Sequence, residues 1–210
     1  MKKFISILMC LILMLSLSTT SFAANLTDVA NVNNIEEDVA TAIALADSQP
    51  IVADKGVITR GTTGTYPTRK GVILSTPTNA SLGGKTFVGH SAIIYSASKV
   101  VESLGDGVTT GNNNWNSTKT KCYGVTVYGT TAAEDAAAAD YCYNKIGCPY
   151  NYNFLNVDTR AKFYCSQLVW ASYLDLYEID LNTSTLGSII TPMELVNTDK
   201  TYTIYSKTTD

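Results

Sequence analysis

Four short runs rich in β-branched and aromatic residues lie between residues 71 and 129, and two helical runs follow them. GVILST (71–76), HSAIIYS (90–96), KVVES (99–103) and CYGVTVYG (122–129) read as strands, separated by Gly, Asn and Ser clusters. TTAAEDAAAADYCYNKIG (130–147) has a Thr cap, Glu134 and Asp135 early, an alanine-rich body and Gly147 to stop it, which predicts a helix. A second helix is predicted from Cys165 to about Leu176, then a short one in PMELVN after Thr191 and a closing strand in TYTIYSK. Strands first and helices afterwards, within one compact region, indicate an α+β class rather than an alternating α/β one. The sequence shows no internal repeat.

The chain before residue 66 differs in character. MKK is a basic start, FISILMCLILMLSL an apolar run of 14 residues, and STTSFA ends in small residues. This predicts a secretory signal peptide over residues 1–23, because such a run falls short of the roughly 20 residues that cross a bilayer. Residues 24–65 read as a leader. NNIEEDVATAIALADSQ carries Asn34 as an N-cap and apolar Val39, Ile43 and Leu45, an amphipathic helix. The Asn, Thr, Asp and Gly around it suggest a loosely attached leader, read as a solvated extension with a prosegment that covers the active site as the alternative. The domain itself is expected over residues 66–210. The mature chain is expected to have no transmembrane segment and to be secreted, extracellular or in the cell envelope.

Removing Lys2 and Lys3 leaves 13 basic residues against 18 acidic ones, a net charge near −5. An acidic surface argues against nucleic acid as a partner held by charge. Four cysteines remain: Cys122, Cys142, Cys148 and Cys165. Export permits disulfides among them, but there is no CxxC and only one histidine, so no metal site or other cofactor is expected.

The stretch FYCSQLVWASY (163–173) places Cys165 where a loop enters a helix. The first turn of a helix offers unpaired N–H groups and the positive end of the dipole, which favour a thiolate and can bind an oxyanion. His90, the one histidine, opens an apolar strand after Gly89. HSAIIYSASKVVES reads as a hairpin. With a three-residue connection centred on Ser96, Glu102 would face His90 directly, whereas a two-residue turn would put it on the other face. A carboxylate that holds an imidazole, which in turn activates a thiol, is the arrangement nucleophilic catalysis needs. Asp106 and Asn114 are fallback candidates for the third position.

GHSAIIYSASKVVES together with GCPYNYNF and FYCSQLVWASY resembles the permuted papain-like amidases, relatives of the NlpC-type cell-wall peptidases. In ordinary members the cysteine helix precedes the histidine. Here the His90–Glu102 hairpin precedes Cys165, the circularly permuted order. Gly147–Tyr150, PTRKGVILST and ITPMELVN resemble further elements of that family, over about residues 66–206, while Val72 stands where an aspartate is common. The resemblance implies a papain-like NlpC-type fold with an antiparallel sheet against the nucleophile helix. It also implies Cys165 as nucleophile, His90 as base, Glu102 as orienting residue, and Tyr150 and Tyr164 in the oxyanion region. The substrate so implied is an amide in cell-wall peptide, with a lipid acyl ester as the enzymatic alternative. A non-catalytic binding module and a disulfide-linked scaffold are the alternatives from other classes. The loops 107–121 and 150–160 are candidate cleft walls.

Overall fold

A computed structural model describes residues 40–55, 64–77, 89–185 and 187–208. The expected signal peptide and the first part of the leader, with Asn34 and Val39, lie outside the described residues. The chain divides into two units, residues 1–41 and 42–210, and the sheet and helices below belong to the second.

Its strands are β1 (Ile73–Thr76), β2 (His90–Ser96), β3 (Lys99–Leu104), β4 (Gly107–Asn112), β5 (Lys121–Val127) and β6 (Thr201–Thr208). They form one antiparallel sheet in the order β4-β3-β2-β1-β5-β6. The helices are α1 (helical at residues 42–48), α2 (Trp115–Thr118), α3 (Ala132–Tyr143), α4 (Cys165–Tyr177) and α5 (Glu194–Asn197).

Side chains alternate along each strand, so one face carries Ile73, Ile93, Val101, Tyr123 and Val125 against Ala138 and Cys142 of α3 and Leu168 and Tyr173 of α4. The opposite face carries Val72, Leu74, Ala92, Ile94 and Val100 in a second cluster with Trp115, Cys122, Ile204 and Tyr205. A sheet that is apolar on both faces explains why the strands read as nearly continuous hydrophobic runs. Each Ile or Leu buried there contributes roughly 1.5–3 kcal/mol relative to an exposed one. Helix α3 starts with a reciprocal cap: Glu134 N–H donates to Thr131 Oγ1 at 3.2 Å, and Thr131 N–H donates to Glu134 Oε2 at 2.7 Å.

Two expectations need correction. Residues 107–112, read as part of a loop, form edge strand β4, paired along its whole length with β3. Val108, Thr109 and Thr110 favour a strand, but Gly107, Gly111 and Asn112 around them dilute the signal, and the backbone bonds to β3 supply what propensity does not. Within the second unit, leader residues 42–55 are not solvated chain. Ala46 is buried, Asp47 accepts from Tyr123 Oη at 2.6 Å and pairs with Lys121, and Val52 N–H donates to Thr203 O at 2.8 Å. Asp54 takes two bonds of 2.7 Å from Arg69. Lys55 and Arg69 both reach the fully buried Asp135, each at 2.9 Å. Charged groups with fixed partners on β5 and α3 therefore fasten this segment to the domain.

Candidate active site

Helix α4 begins at Cys165, and its first intrahelical bond runs from Leu168 N–H to Tyr164 O at 3.0 Å. The N–H groups of Cys165, Ser166 and Gln167 thus have no partner one turn back. The helix start is held from three sides. Ser103 Oγ of β3 donates to Phe163 O at 2.7 Å. Phe163 N–H donates to Pro149 O at 3.1 Å. Buried Gln167 ties the loop to the helix: its Oε1 accepts from Asn151 Nδ2 at 3.0 Å and from Tyr164 N–H at 3.2 Å, and its Nε2 donates to Val157 O at 2.9 Å.

His90 enters β2 after Gly89, whose φ is +87° and where a Cβ would lie 2.3 Å from Thr76 O. Only glycine fits that approach without strain. The ring Nε2–H donates to Glu102 Oε2 at 2.7 Å. The hairpin reaches this contact by a route the spacing argument did not foresee. The connection is a two-residue turn, which alone would turn Glu102 away. A bulge between Ile94 and Ser96 adds a residue and restores the parity. Glu102 then pairs with Ala92, two residues from His90 and on the same face, and meets the ring diagonally. Trp115 lies against the ring, with centroids 5.5 Å apart and planes within 28°. Asp106 and Asn114, the fallback candidates, are exposed.

Cys165 is buried and free, and its sulfur is hydrogen-bonded to His90. With Nε2 committed to Glu102, Nδ1 is the nitrogen left for the thiol. Burial pushes the Cys165 thiol up, but the His90 bond and charge, with the Ser91 backbone N–H, outweigh it and hold the thiol below its ordinary value. Burial likewise disfavours a charged His90 ring, yet the bonds and charges of Cys165 and Glu102 raise it to about 9. The physical content of both shifts is one thiolate–imidazolium pair backed by a carboxylate.

Tyr150 is partly buried. Burial raises its hydroxyl above the ordinary value, and the charge of Cys165 adds to the shift, so the hydroxyl keeps its proton. Tyr164 is committed elsewhere: its ring is buried and its hydroxyl accepts from Ile190 N–H at 3.1 Å, so it anchors the 190 segment to the helix start. Cys122, Cys142 and Cys148 are free thiols as well, so the scaffold reading with a bridged Cys165 does not hold. Two residues escaped the sequence reading, Gln167 and Ser103; neither has a local signal, because each acts through contacts outside its own element.

A helix-borne cysteine facing a strand histidine that is steadied by a carboxylate defines a papain-like cysteine hydrolase site. The model of the family described as "Permuted papain-like amidase enzyme, YaeF/YiiX, C92 family" matches residues 69–207, and the chain belongs to this family. A relative in Bacillus subtilis (strain 168), described as "Uncharacterized protein YycO", is 30% identical over 120 residues, 55% of this chain and 48% of its own. The chain thus spans about half the length of that curated relative. The crystal structure of metalloprotein yiiX from Escherichia coli O157:H7 shares the fold, with a TM-score of 0.52 and 14% identity over 68% of this chain and 99% of that one. Among the described residues, no group of three or more His, Cys, Asp or Glu could hold a metal ion.

Proposed function

We propose that the protein is an exported cysteine amidase whose nucleophile is Cys165, whose acid–base group is His90 and whose orienting carboxylate is Glu102. The observation that carries this reading is His90 set between Cys165, whose thiol it lowers, and Glu102, which accepts from its Nε2–H at 2.7 Å. The thiolate attacks the amide carbonyl carbon, forming a C–S bond and a tetrahedral oxyanion. The free N–H of Cys165 faces that oxygen's position at the helix start, and the Tyr150 hydroxyl is the second donor near it. His90 gives its proton to the leaving nitrogen, the C–N bond breaks and a thioester remains. Water then attacks the thioester, giving its proton to His90, and the C–S bond breaks to release the acid.

The expected export signal supports a cell-wall peptide as substrate. The test is digestion of peptidoglycan fragments, with Cys165→Ala as control and mass spectrometry to locate the new amine. New amine ends made by the wild type alone support the reading; intact fragments argue against a cell-wall substrate. One observation favours acyl-ester hydrolysis as a second reading. Tyr152 and Leu155, on the loop that holds Tyr150, are 60% and 72% exposed and offer an apolar approach. Release of fatty acid from an acyl ester in the same assay would choose between the two.

A further inference from the structure

We propose that Gly111 is a positioning residue of this site: by having no side chain, it leaves on β4 the space in which the Glu102 carboxylate lies while it holds His90. The inference rests on the reading of Cys165, His90 and Glu102 given above and deepens it. A Cβ on Gly111 would stand 1.9 Å from Glu102 Oε1, 2.9 Å from its Cδ and 3.3 Å from Val100 Cγ2. No side chain at 111 can coexist with the carboxylate where it now lies.

The register explains the crowding. Glu102 pairs with Ala92 on one side and Thr109 on the other, while Val100 pairs with Ile94 and Gly111. His90, Glu102 and Gly111 therefore fall on one diagonal across β2, β3 and β4. The carboxylate lies along it, with Oε2 on the His90 ring and Oε1 over the Gly111 backbone.

The backbone does not ask for glycine here. Gly89 and Gly107 have φ of +87° and +111°, whereas Gly111 is outside the left-handed region. In an edge strand a glycine in ordinary extended geometry weakens the strand and marks a close approach by another group. The approaching group is the Glu102 carboxylate.

His90 cannot follow the carboxylate if it moves. Its ring is stacked on Trp115 and bonded to Cys165, so a displaced Glu102 loses the ring instead of carrying it along. Since the clashing atoms are the far end of a flexible side chain, the fold yields little while the site loses its carboxylate. This predicts an unusual combination for a clash built into a strand: stability changed little, because replacing glycine in a strand offsets most of the lost ion pair, and histidine chemistry altered.

The test is Gly111→Ala in the full chain, alone and combined with Glu102→Gln. It is read by NMR titration of the His90 ring, by the pH profile of Cys165 alkylation and by thermal melting. In Gly111→Ala the ring midpoint is expected to fall by about one pH unit, the change in charge stabilisation that a displaced carboxylate brings, with melting close to the wild-type temperature. In the Glu102→Gln background only a neutral hydrogen bond is left to lose, so the same substitution is expected to move the ring by much less. Wild-type titration in Gly111→Ala, or an equal shift in both backgrounds, overturns the proposal alone. Melting well below wild type also overturns it, since the space would then serve packing. A wild-type ring that titrates near 6.5 overturns the site reading and this proposal with it.

Discussion

Replacing Glu102 by Gln removes one charge from beside His90 and keeps the side chain's shape. The His90 ring is raised from 6.5 to about 9, which corresponds to roughly 3 kcal/mol of preference for imidazolium. Burial opposes this preference. The hydrogen bond with Cys165 is the larger favourable contribution, and that with Glu102 follows. Glutamine still offers an oxygen to Nε2–H and loses only the charge, so the ring is expected to fall by about one unit, worth ~1.4 kcal/mol. The chain has one histidine, so its ring resonance titrates without overlap from any other.

Stability follows from the same proton count. Because the folded His90 pKa lies above its unfolded value, its contribution is fully present below 6.5 and is lost as pH rises through about 9. Cys165 runs the other way: its contribution is present above its unfolded value near 9.0 and is lost as pH falls through the lowered folded one. Below about 9, and above both 6.5 and the lowered Cys165 value, the folded pair holds one proton on His90 and the unfolded pair one on Cys165, so stability from this pair is flat there. The Glu102→Gln deficit should therefore be greatest below the variant's ring midpoint and shrink as pH rises past 9. NMR titration and urea unfolding at several pH values measure both. A ring midpoint unmoved by the substitution, or a deficit that grows with pH, refutes the reasoning.

Further perturbations test other parts of the account. Asp135→Ala leaves Lys55 and Arg69 without their buried partner and is expected to cost about 3–5 kcal/mol in urea unfolding. Lys55→Met in that background should cost much less than in wild type, since residues 42–55 are fastened through the same carboxylate. Gln167→Leu strips Asn151 Nδ2 and Tyr164 N–H of an acceptor. It should lower stability by about 1–3 kcal/mol per orphaned group and reduce kcat more than KM, because the loop and the helix start shift together. A variant with full stability would show that the loop is held by other contacts.

How far the sequence discloses this molecule depends on whether a signal is local. The strand and helix segments follow from composition and caps, as with the Thr131–Glu134 cap of α3. Cys165 stands out because a helix start changes its chemistry, and His90 because it is the one histidine. Glu102 is legible as a carboxylate on a neighbouring strand but not as a diagonal partner, since a bulge cannot be counted from spacing. β4 stays hidden because Gly107, Gly111 and Asn112 flank its three β-forming residues and its partner supplies the bonds. Gly111 and Gln167 have no local signature: one is defined by what it lacks and the other by a loop ten residues upstream.

The central claim concerns the charge state of Cys165, and alkylation at about pH 6, well below an ordinary thiol near 8.5, tests it most directly. The reagent is iodoacetamide, the label is located by mass spectrometry, and wild type is set against His90→Ala. The account predicts that Cys165 is labelled first among the four described cysteines and that losing His90 slows it at least about tenfold. Labelling of Cys165 no faster than the half-buried Cys148, or a rate indifferent to His90, would contradict it.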